Sequence, residues 1–194
     1  MRTISSRLLA LSLLTACTAG HDTTAPSASG GTQAFGLVVT NPSCGDVIVS
    51  DLRLESDLTC AADGLTVAGS GIKINLNGHT IGGAGTGAGI RVQSSQDVSI
   101  YGGTVRGFLR GIYVVASTGI VIKDNEFTAN GTAVLLETSS GNTIKANVAR
   151  ENLLRAFMIR PNFTGTVLST NNDGVDNLLI DNPTGIYLIR QPGN

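Results

Sequence analysis

The feature that most constrains the fold of this sequence is a repeat of 22 residues. The isoleucines Ile100, Ile122 and Ile144 stand at equivalent places in three stretches that align with one another. A second block rich in Ile, Val and Leu follows each stretch, and glycine, asparagine or serine separates the blocks. Short apolar strands recurring at a fixed period of this length predict a solenoid of parallel strands, with one coil in each repeat.

One coil cannot bury its apolar side alone, so equivalent residues of stacked coils should form inward columns. The repeat extends back to 74–84, where Leu76 is predicted to occupy the place of Ile100. A longer final interval predicts a loop over 161–174. Leucine-rich, helical and β-sandwich architectures do not fit this apolar pattern and register. The predicted columns are Leu76, Ile100, Ile122 and Ile144; Ile81, Val105 and Phe127; and Ile90, Ile112, Val134, Phe157 and Ile186.

The repeats carry a family resemblance as well. Segments such as "GIKINLNGHTIGG" and "VSIYGGTVRGFLRGIYV", within Cys44–Ile189, resemble the right-handed parallel β-helix repeat superfamily. That group includes pectate-lyase-like enzymes, alginate epimerases and lyases, and NosD-like accessory proteins. The resemblance implies an all-β, right-handed, single-stranded parallel β-helix of about six short coils over residues 34–194, on a fold that hosts many activities and many non-catalytic proteins.

The N-terminal residues predict export and a lipid anchor. Residues 1–16 have the basic start and apolar centre of a signal peptide, and Leu14–Cys17 resembles a bacterial lipobox. We expect Cys17 to be lipidated and the protein to be held on a membrane of the bacterial cell envelope. The alternative is an ordinary signal peptide with an incidental cysteine. Residues 17–33 are rich in Ser, Thr, Gly and Ala, which predicts a flexible tether.

Charge and the remaining cysteines exclude some classes of protein. Removal of residues 1–16 takes away two of the 13 basic residues and none of the 14 acidic ones, so the net charge falls from −1 to −3. This balance does not indicate a nucleic-acid partner. In an exported protein, Cys44 and Cys60 fit a disulfide, with two free buried thiols as the alternative. No further Cys or His lies near either one, so a metal site there is not predicted.

Residues next to the inward columns should point outward and stack from coil to coil. Tyr101, Lys123 and Lys145 form one such column, and Arg106 and Arg150 belong to another. These five residues are candidates for binding an acidic polysaccharide, and ordinary surface charge is the alternative. A third outward column is either a sugar or protein contact face or a surface covered by the 161–174 loop; its members are Arg91, Tyr113, Leu135, Met158 and Tyr187.

Asparagines recur at two turn positions of the repeat. Asn125 and Asn147 share the first position, and Asn130 and Asn152 share the second. Stacked amides can hydrogen-bond from coil to coil, which predicts a structural ladder. His79 is in register with Asn125 and is assigned to the same ladder, in preference to catalysis, because no acid, base or metal partner accompanies it.

No catalytic residues are predicted, because the motifs of the polysaccharide-modifying relatives are absent. Asp173, Asp176 and Asp181 could seat calcium, although such residues are commoner in turns. The sequence predicts a non-catalytic envelope lipoprotein that binds glycan or acts as a surface scaffold. The alternative is a small lyase or epimerase that uses Lys123 and its basic neighbours on an acidic polysaccharide. Metal delivery of the NosD-like sort is a further alternative, and the near absence of His, Cys and Met ligands counts against it.

Overall fold

The computed structural model describes Val38, residues 40–161 and residues 169–189. Within these residues every regular element is a β-strand. The strands are β1 (Val47–Ile48), β2 (Leu52–Arg53), β3 (Leu58–Thr59), β4 (Leu65–Val67), β5 (Lys73–Asn75), β6 (Thr80–Gly82), β7 (Ala88–Gln93), β8 (Ser99–Tyr101), β9 (Thr104–Arg106), β10 (Arg110–Val115), β11 (Val121–Lys123), β12 (Glu126–Thr128), β13 (Thr132–Glu137), β14 (Thr143–Lys145), β15 (Val148–Arg150), β16 (Arg155–Arg160), β17 (Asp173–Val175), β18 (Leu178–Ile180) and β19 (Thr184–Leu188).

The strands form three parallel sheets, and each coil contributes one strand to each sheet. Sheet 1 has seven strands in the order β1-β4-β7-β10-β13-β16-β19. Sheet 2 has the six strands β2, β5, β8, β11, β14 and β17, and sheet 3 has β3, β6, β9, β12, β15 and β18. From β2 onward the chain therefore makes six coils, which confirms the parallel β-helix predicted from the repeat.

The inward columns form one continuous apolar core. Ile100, Ile122 and Ile144 pair in register across sheet 2 and are almost fully buried. The columns that contain Phe127 and Val134 are paired as the repeat predicts. The last member of the third column, Ile186, is 55% exposed because it belongs to the final coil of the described chain, where no strand stacks on it.

The predicted place of Leu76 is wrong. Ile74 is the residue paired with Ile100, and Leu76 follows it at the corner between sheets 2 and 3. This corner holds two more residues than its counterpart in the next coil, and Asn77 and Gly78 turn it with positive φ values of 52° and 80°. Leu76 is still fully buried, since it fills the space opposite Gly103, where a Cβ atom would lie 2.4 Å from that of Leu76.

A recurring corner conformation explains the asparagines. A residue with positive φ, such as Asp124 or Ala129, bends the chain, and the next residue then turns its side chain inward. The backbone N–H of Asn125 donates to Oδ1 of Asn147 at 3.0 Å, and that of Asn130 donates to Oδ1 of Asn152 at 3.1 Å. Asparagine at these corners thus supplies acceptors to buried amides that no strand pairing reaches.

The third corner of the coil has a ladder that the sequence argument missed. Buried serines, 22 residues apart, accept the backbone N–H of the preceding serine, as Ser117 does from Ser95 at 3.1 Å. Beside them, Oδ1 of Asn142 accepts the N–H of Ile120 at 2.9 Å. The 22-residue spacing of Ser95, Ser117 and Ser139 was the signal that could have revealed it.

The first and last coils differ from the regular repeat. Cys44 and Cys60 form a disulfide with their Cα atoms 5.6 Å apart, which confirms that prediction. The last interval of sheet 2, from Ile144 to Gly174, is 30 residues, and the additional residues fall within the predicted loop region. Part of that loop, 162–168, lies outside the described residues. Among the described residues, no helix has the length and hydropathy needed to cross a membrane.

Candidate functional site

The outward face of sheet 1 contains a groove that combines apolar and cationic side chains. Its cavity has a volume of about 330 Å³. Leu135 and Met158 form the floor, and the exposed Leu109 and Leu154 stand at the rim. We call this cavity the sheet 1 groove; its lining residues are Leu109, Arg110, Thr132, Leu135, Leu154, Arg155, Met158 and Arg160.

Strand register places the lining residues in three neighbouring columns. Arg110, Thr132 and Arg155 pair across β10, β13 and β16 and form the first. The second column lies between the first and the third, and it is the outward column identified in the sequence. Glu137 and Arg160 pair in the third column. The second column, in register across five strands, is Arg91, Tyr113, Leu135, Met158 and Tyr187.

Glu137 is the acidic centre of one side of the groove. One of its carboxylate oxygens accepts a hydrogen bond from the Tyr113 hydroxyl at 2.9 Å. The same oxygen accepts from Nε and Nη2 of Arg160 at 3.0 and 2.6 Å. Burial raises the pKa of Tyr113, and the hydrogen bond to Glu137 adds to this effect. Tyr113 therefore stays a neutral donor at physiological pH, and Arg160 balances the charge of Glu137.

Arg110 and Arg155 are the cations of the other side. Each stacks on a tyrosine, with Arg110 5.1 Å from the ring centroid of Tyr113 and Arg155 4.6 Å from that of Tyr187. Neither forms a salt bridge with a carboxylate among the described residues. The buried Nε of Arg155 also finds no hydrogen-bond acceptor in the described part of the chain. With respect to the described residues, these two half-buried guanidinium groups keep N–H donors for an external anion.

The basic residues singled out in the sequence lie on the other two sheets. Tyr101, Lys123 and Lys145 form one outward column of sheet 2, as the register predicts. Lys123 stands 5.4 Å from the ring centroid of Tyr101, and its Nζ is 3.8 Å from a carboxylate oxygen of Asp124. Intramolecular partners therefore occupy part of this column.

Arg106 and Arg150 belong to sheet 3, so the structure does not bring them into one surface with the lysines of sheet 2. Arg150 forms an ion pair with Glu126. Arg106 lines a shallow cavity of about 230 Å³, together with Gly82 and Thr128. The arginines of the sheet 1 groove were missed in the sequence because only one outward column of that sheet was followed; the same register also orders the columns beside it.

His79 occupies a corner that differs from the asparagine corners. Its ring Nδ1 lies 3.2 Å from Oδ1 of Asp57 in the preceding coil, and its side chain is partly exposed. Leu76 takes the inward position there. The pKa of Asp57 is lowered, chiefly because the backbone N–H of Thr80 donates to its carboxylate, and the His79 ring contributes further. The histidine thus links two coils at the surface, where the asparagines link coils in the interior.

Comparisons with known proteins cover most of the described solenoid. Residues 50–194 match the family model described as the periplasmic copper-binding protein NosD. The chain belongs to the NosD family. No curated protein sequence matches it significantly. Among solved structures, the A-module of a mannuronan C-5 epimerase from Azotobacter vinelandii is similar, with a TM-score of 0.54 and 16% identity over 80% of this chain and 46% of the module. This likeness shows the fold alone, and the chain spans less than half of that module.

The described residues of this NosD-family chain do not fit a copper site. They contain no group of three His, Cys, Asp or Glu side chains placed to hold a metal ion. Cys44 and Cys60 are joined in the disulfide, and the ring of His79 contacts Asp57. Copper in proteins favours imidazole and sulfur ligands, and the described chain does not gather them. The same finding covers calcium at Asp173, Asp176 and Asp181, two of which sit at separate corners with positive φ. His21 and Cys17 lie outside the described residues.

Proposed function

We propose that this NosD-family chain is a cell-envelope protein that binds an acidic glycan in the sheet 1 groove without modifying it. The observation that carries the proposal is the pair Arg110 and Arg155, which line the groove without a carboxylate partner among the described residues. The guanidinium group of each arginine has further N–H donors that a carboxylate or sulfate can accept in pairs.

The apolar part of the groove suits the other surfaces of a sugar. The exposed Leu109 and Leu154 at the rim supply apolar surface against which the C–H faces of a sugar ring can pack. A combination of convergent charged donors with apolar contact area is the usual composition of a ligand site. The lining residues come from three successive coils, so an extended polymer laid across the strands would contact all three.

The second candidate is a lyase or epimerase acting on an acidic polysaccharide, and the observation that favours it is the Tyr113–Glu137 pair beside Arg110. Such an enzyme needs a base next to the carboxylate of its substrate. Glu137 already accepts from Tyr113 and Arg160, and the raised pKa of Tyr113 works against a phenolate base. These contacts favour binding over catalysis.

Retention on immobilised glycans tests the site. We expect the full chain to be retained on alginate, polygalacturonate or heparin and not on neutral dextran, and to elute as salt rises. Arg110→Ala/Arg155→Ala should lose retention. The matched control is Lys123→Ala/Lys145→Ala. This variant removes the same charge from sheet 2 and should still be retained on the acidic glycans. Loss of retention in the lysine variant alone would move the site to sheet 2. Unsaturated products, detected by ultraviolet absorbance, or epimerised sugars, detected by NMR, would establish the enzyme instead.

We also propose that Cys17 is lipidated after removal of residues 1–16, which would hold the solenoid at a membrane of the envelope through the 17–33 tether. The periplasmic description of the family supports export. Mass spectrometry of the mature N-terminus tests the anchor, since a diacylglyceryl-cysteine is expected there and an unmodified N-terminus at another residue would exclude it.

A further inference from the structure

Two cations of the sheet 1 groove come from strands two coils apart. Arg110 in β10 and Arg155 in β16 are separated by Thr132 in β13, which is small, uncharged and 6% exposed. Neighbouring strands stand about 4.8 Å apart, so the two arginine positions are separated by about 9.6 Å along the solenoid. A ligand that lies along the stack thus meets one arginine from β10 and one from β16, with no cation from β13 between them.

The opposite side of the groove does not offer the same attraction. Glu137 and Arg160 form a closed ion pair there, and Tyr113 donates its hydroxyl to the same carboxylate. A carboxylate placed on this side meets an acidic residue whose counter-cation is already engaged. The groove is therefore asymmetric, with anion donors spaced two coils apart on the Arg110 side and a neutralised ion pair on the Glu137 side.

Two tyrosines of the second column mark the length of ligand that this face of sheet 1 can contact. Tyr113 and Tyr187 stand in the same column, three coils apart, with Leu135 and Met158 between them. This corresponds to about 14 Å at the strand spacing. An oligosaccharide of a few sugars can lie between the two rings, with its acidic groups at the positions of Arg110 and Arg155.

We infer that the preferred ligand is an acidic glycan with a disaccharide repeat in which acidic and neutral sugars alternate. This inference rests on the proposed function and narrows it. A chain with one acidic group in each disaccharide presents its charges at intervals that suit alternate coils. A homopolymer with an acidic group on every sugar places the additional carboxylates beside Thr132, where no cation lies, or beside the Glu137–Arg160 pair, whose cation is already engaged.

The test compares two oligosaccharides of equal length. Hyaluronan carries one carboxylate in each disaccharide, and oligogalacturonate carries one on each sugar. General electrostatic attraction favours oligogalacturonate because it has twice the charge. We expect the full chain to bind the hyaluronan oligosaccharide more tightly instead, by on the order of tenfold in Kd measured by calorimetry. The carboxyl-reduced hyaluronan oligosaccharide serves as the uncharged control and should not bind.

A charge-conserving exchange tests the spacing itself. Thr132→Arg/Arg155→Thr keeps the composition and the charge but moves the two cations onto neighbouring coils, about 4.8 Å apart. In this variant, the ratio of the Kd for hyaluronan to the Kd for oligogalacturonate should rise by about tenfold relative to the unsubstituted chain. Arg155→Thr alone is a second variant that does not enlarge residue 132. It should weaken hyaluronan binding by about tenfold and abolish the preference.

The outcomes separate the inference from the proposed function. Preference for hyaluronan with the expected shift in the exchange variant supports both. Equal binding of the two glycans, or preference for oligogalacturonate, with both lost in Arg110→Ala/Arg155→Ala, overturns the alternating ligand and leaves the glycan-binding function standing. Absence of binding to every acidic glycan overturns both.

Discussion

Two asparagines of the same coil provide a matched measurement of what the ladders contribute to stability. Both side chains are buried, and both donate through Nδ2 to a backbone carbonyl and to the next asparagine of their ladder. They differ in one bond. Oδ1 of Asn130 accepts the backbone N–H of Phe108 at 3.1 Å, whereas Oδ1 of Asn125 has no partner among the described residues.

The difference sets the expected magnitude. Asn130→Ala and Asn125→Ala lose equivalent Nδ2 bonds and leave cavities of the same kind, so these costs cancel in the comparison. Asn130→Ala also leaves the buried N–H of Phe108 without an acceptor, at a cost of about 1–3 kcal/mol. Asn125→Ala instead removes a buried acceptor that was already unsatisfied. We therefore expect Asn130→Ala to lower the free energy of unfolding by about 1–3 kcal/mol more than Asn125→Ala does.

Urea unfolding followed by circular dichroism measures the two free energies. The comparison holds when both variants show the same dependence on denaturant as the unsubstituted chain. Hydrogen exchange gives a local readout, because the Phe108 amide should exchange faster in Asn130→Ala and remain protected in Asn125→Ala. Equal losses of stability, or a larger loss in Asn125→Ala, would refute the hydrogen-bond account of the ladders.

Three further predictions concern the ends, corners and surface of the solenoid. Replacing both Cys44 and Cys60 with serine should lower the free energy of unfolding by about 3 kcal/mol, because the disulfide closes a loop across a separation of 16 residues; urea unfolding with and without reductant measures it. Ala146→Gly should raise stability by about 0.5–1 kcal/mol, since Ala146 has a φ of 52°, whereas Ala149→Gly, in a buried strand, should lower it by about 1 kcal/mol or more. The pKa of Asp57 is lowered in the folded state, so the stability it contributes is complete above its ordinary value of 3.8 and is lost as the pH falls through the folded value. In Asp57→Asn, the free energy of unfolding should therefore fall less steeply as the pH is lowered below 3.8. An unchanged pH dependence, measured by urea unfolding at several acidic pH values, would contradict this.

The fold was predictable because, in a parallel in-register stack, equivalent residues of successive coils have the same inward or outward direction. Ile100, Ile122 and Ile144 align at one period, and once they are inward the faces of their neighbours follow by alternation. The register of Leu76 was predicted wrongly because the alignment assumes that every corner has the same length. The corner at Asn77 and Gly78 is longer by two residues, and a leucine can fill a corner interior as well as a strand face.

The candidate site was less predictable, since it depends on the partners of each charge. Lys123 and Arg150 are outward and basic as the sequence indicates, yet each has a nearby carboxylate, in Asp124 and Glu126. Arg155 is equally basic in the sequence, and only its surroundings distinguish it. Which cation is neutralised is decided by side-chain reach across two or three columns, and a single column read from the sequence does not contain that information.

In each coil, different residues hold the fold together and face the solvent, so a binding surface can arise without loss of the fold. The inward isoleucines and the corner asparagines hold neighbouring coils together, and both sets lie within the solenoid. Arg110 and Arg155 contribute to neither set, since they point outward and lack carboxylate partners among the described residues. Their replacement should consequently change glycan retention while altering the free energy of unfolding by about 0.5 kcal/mol or less, apart from the loss of stacking on Tyr113 and Tyr187. If the arginine variants were strongly destabilised, the groove would be part of the scaffold, and the case for a dedicated binding face would fail.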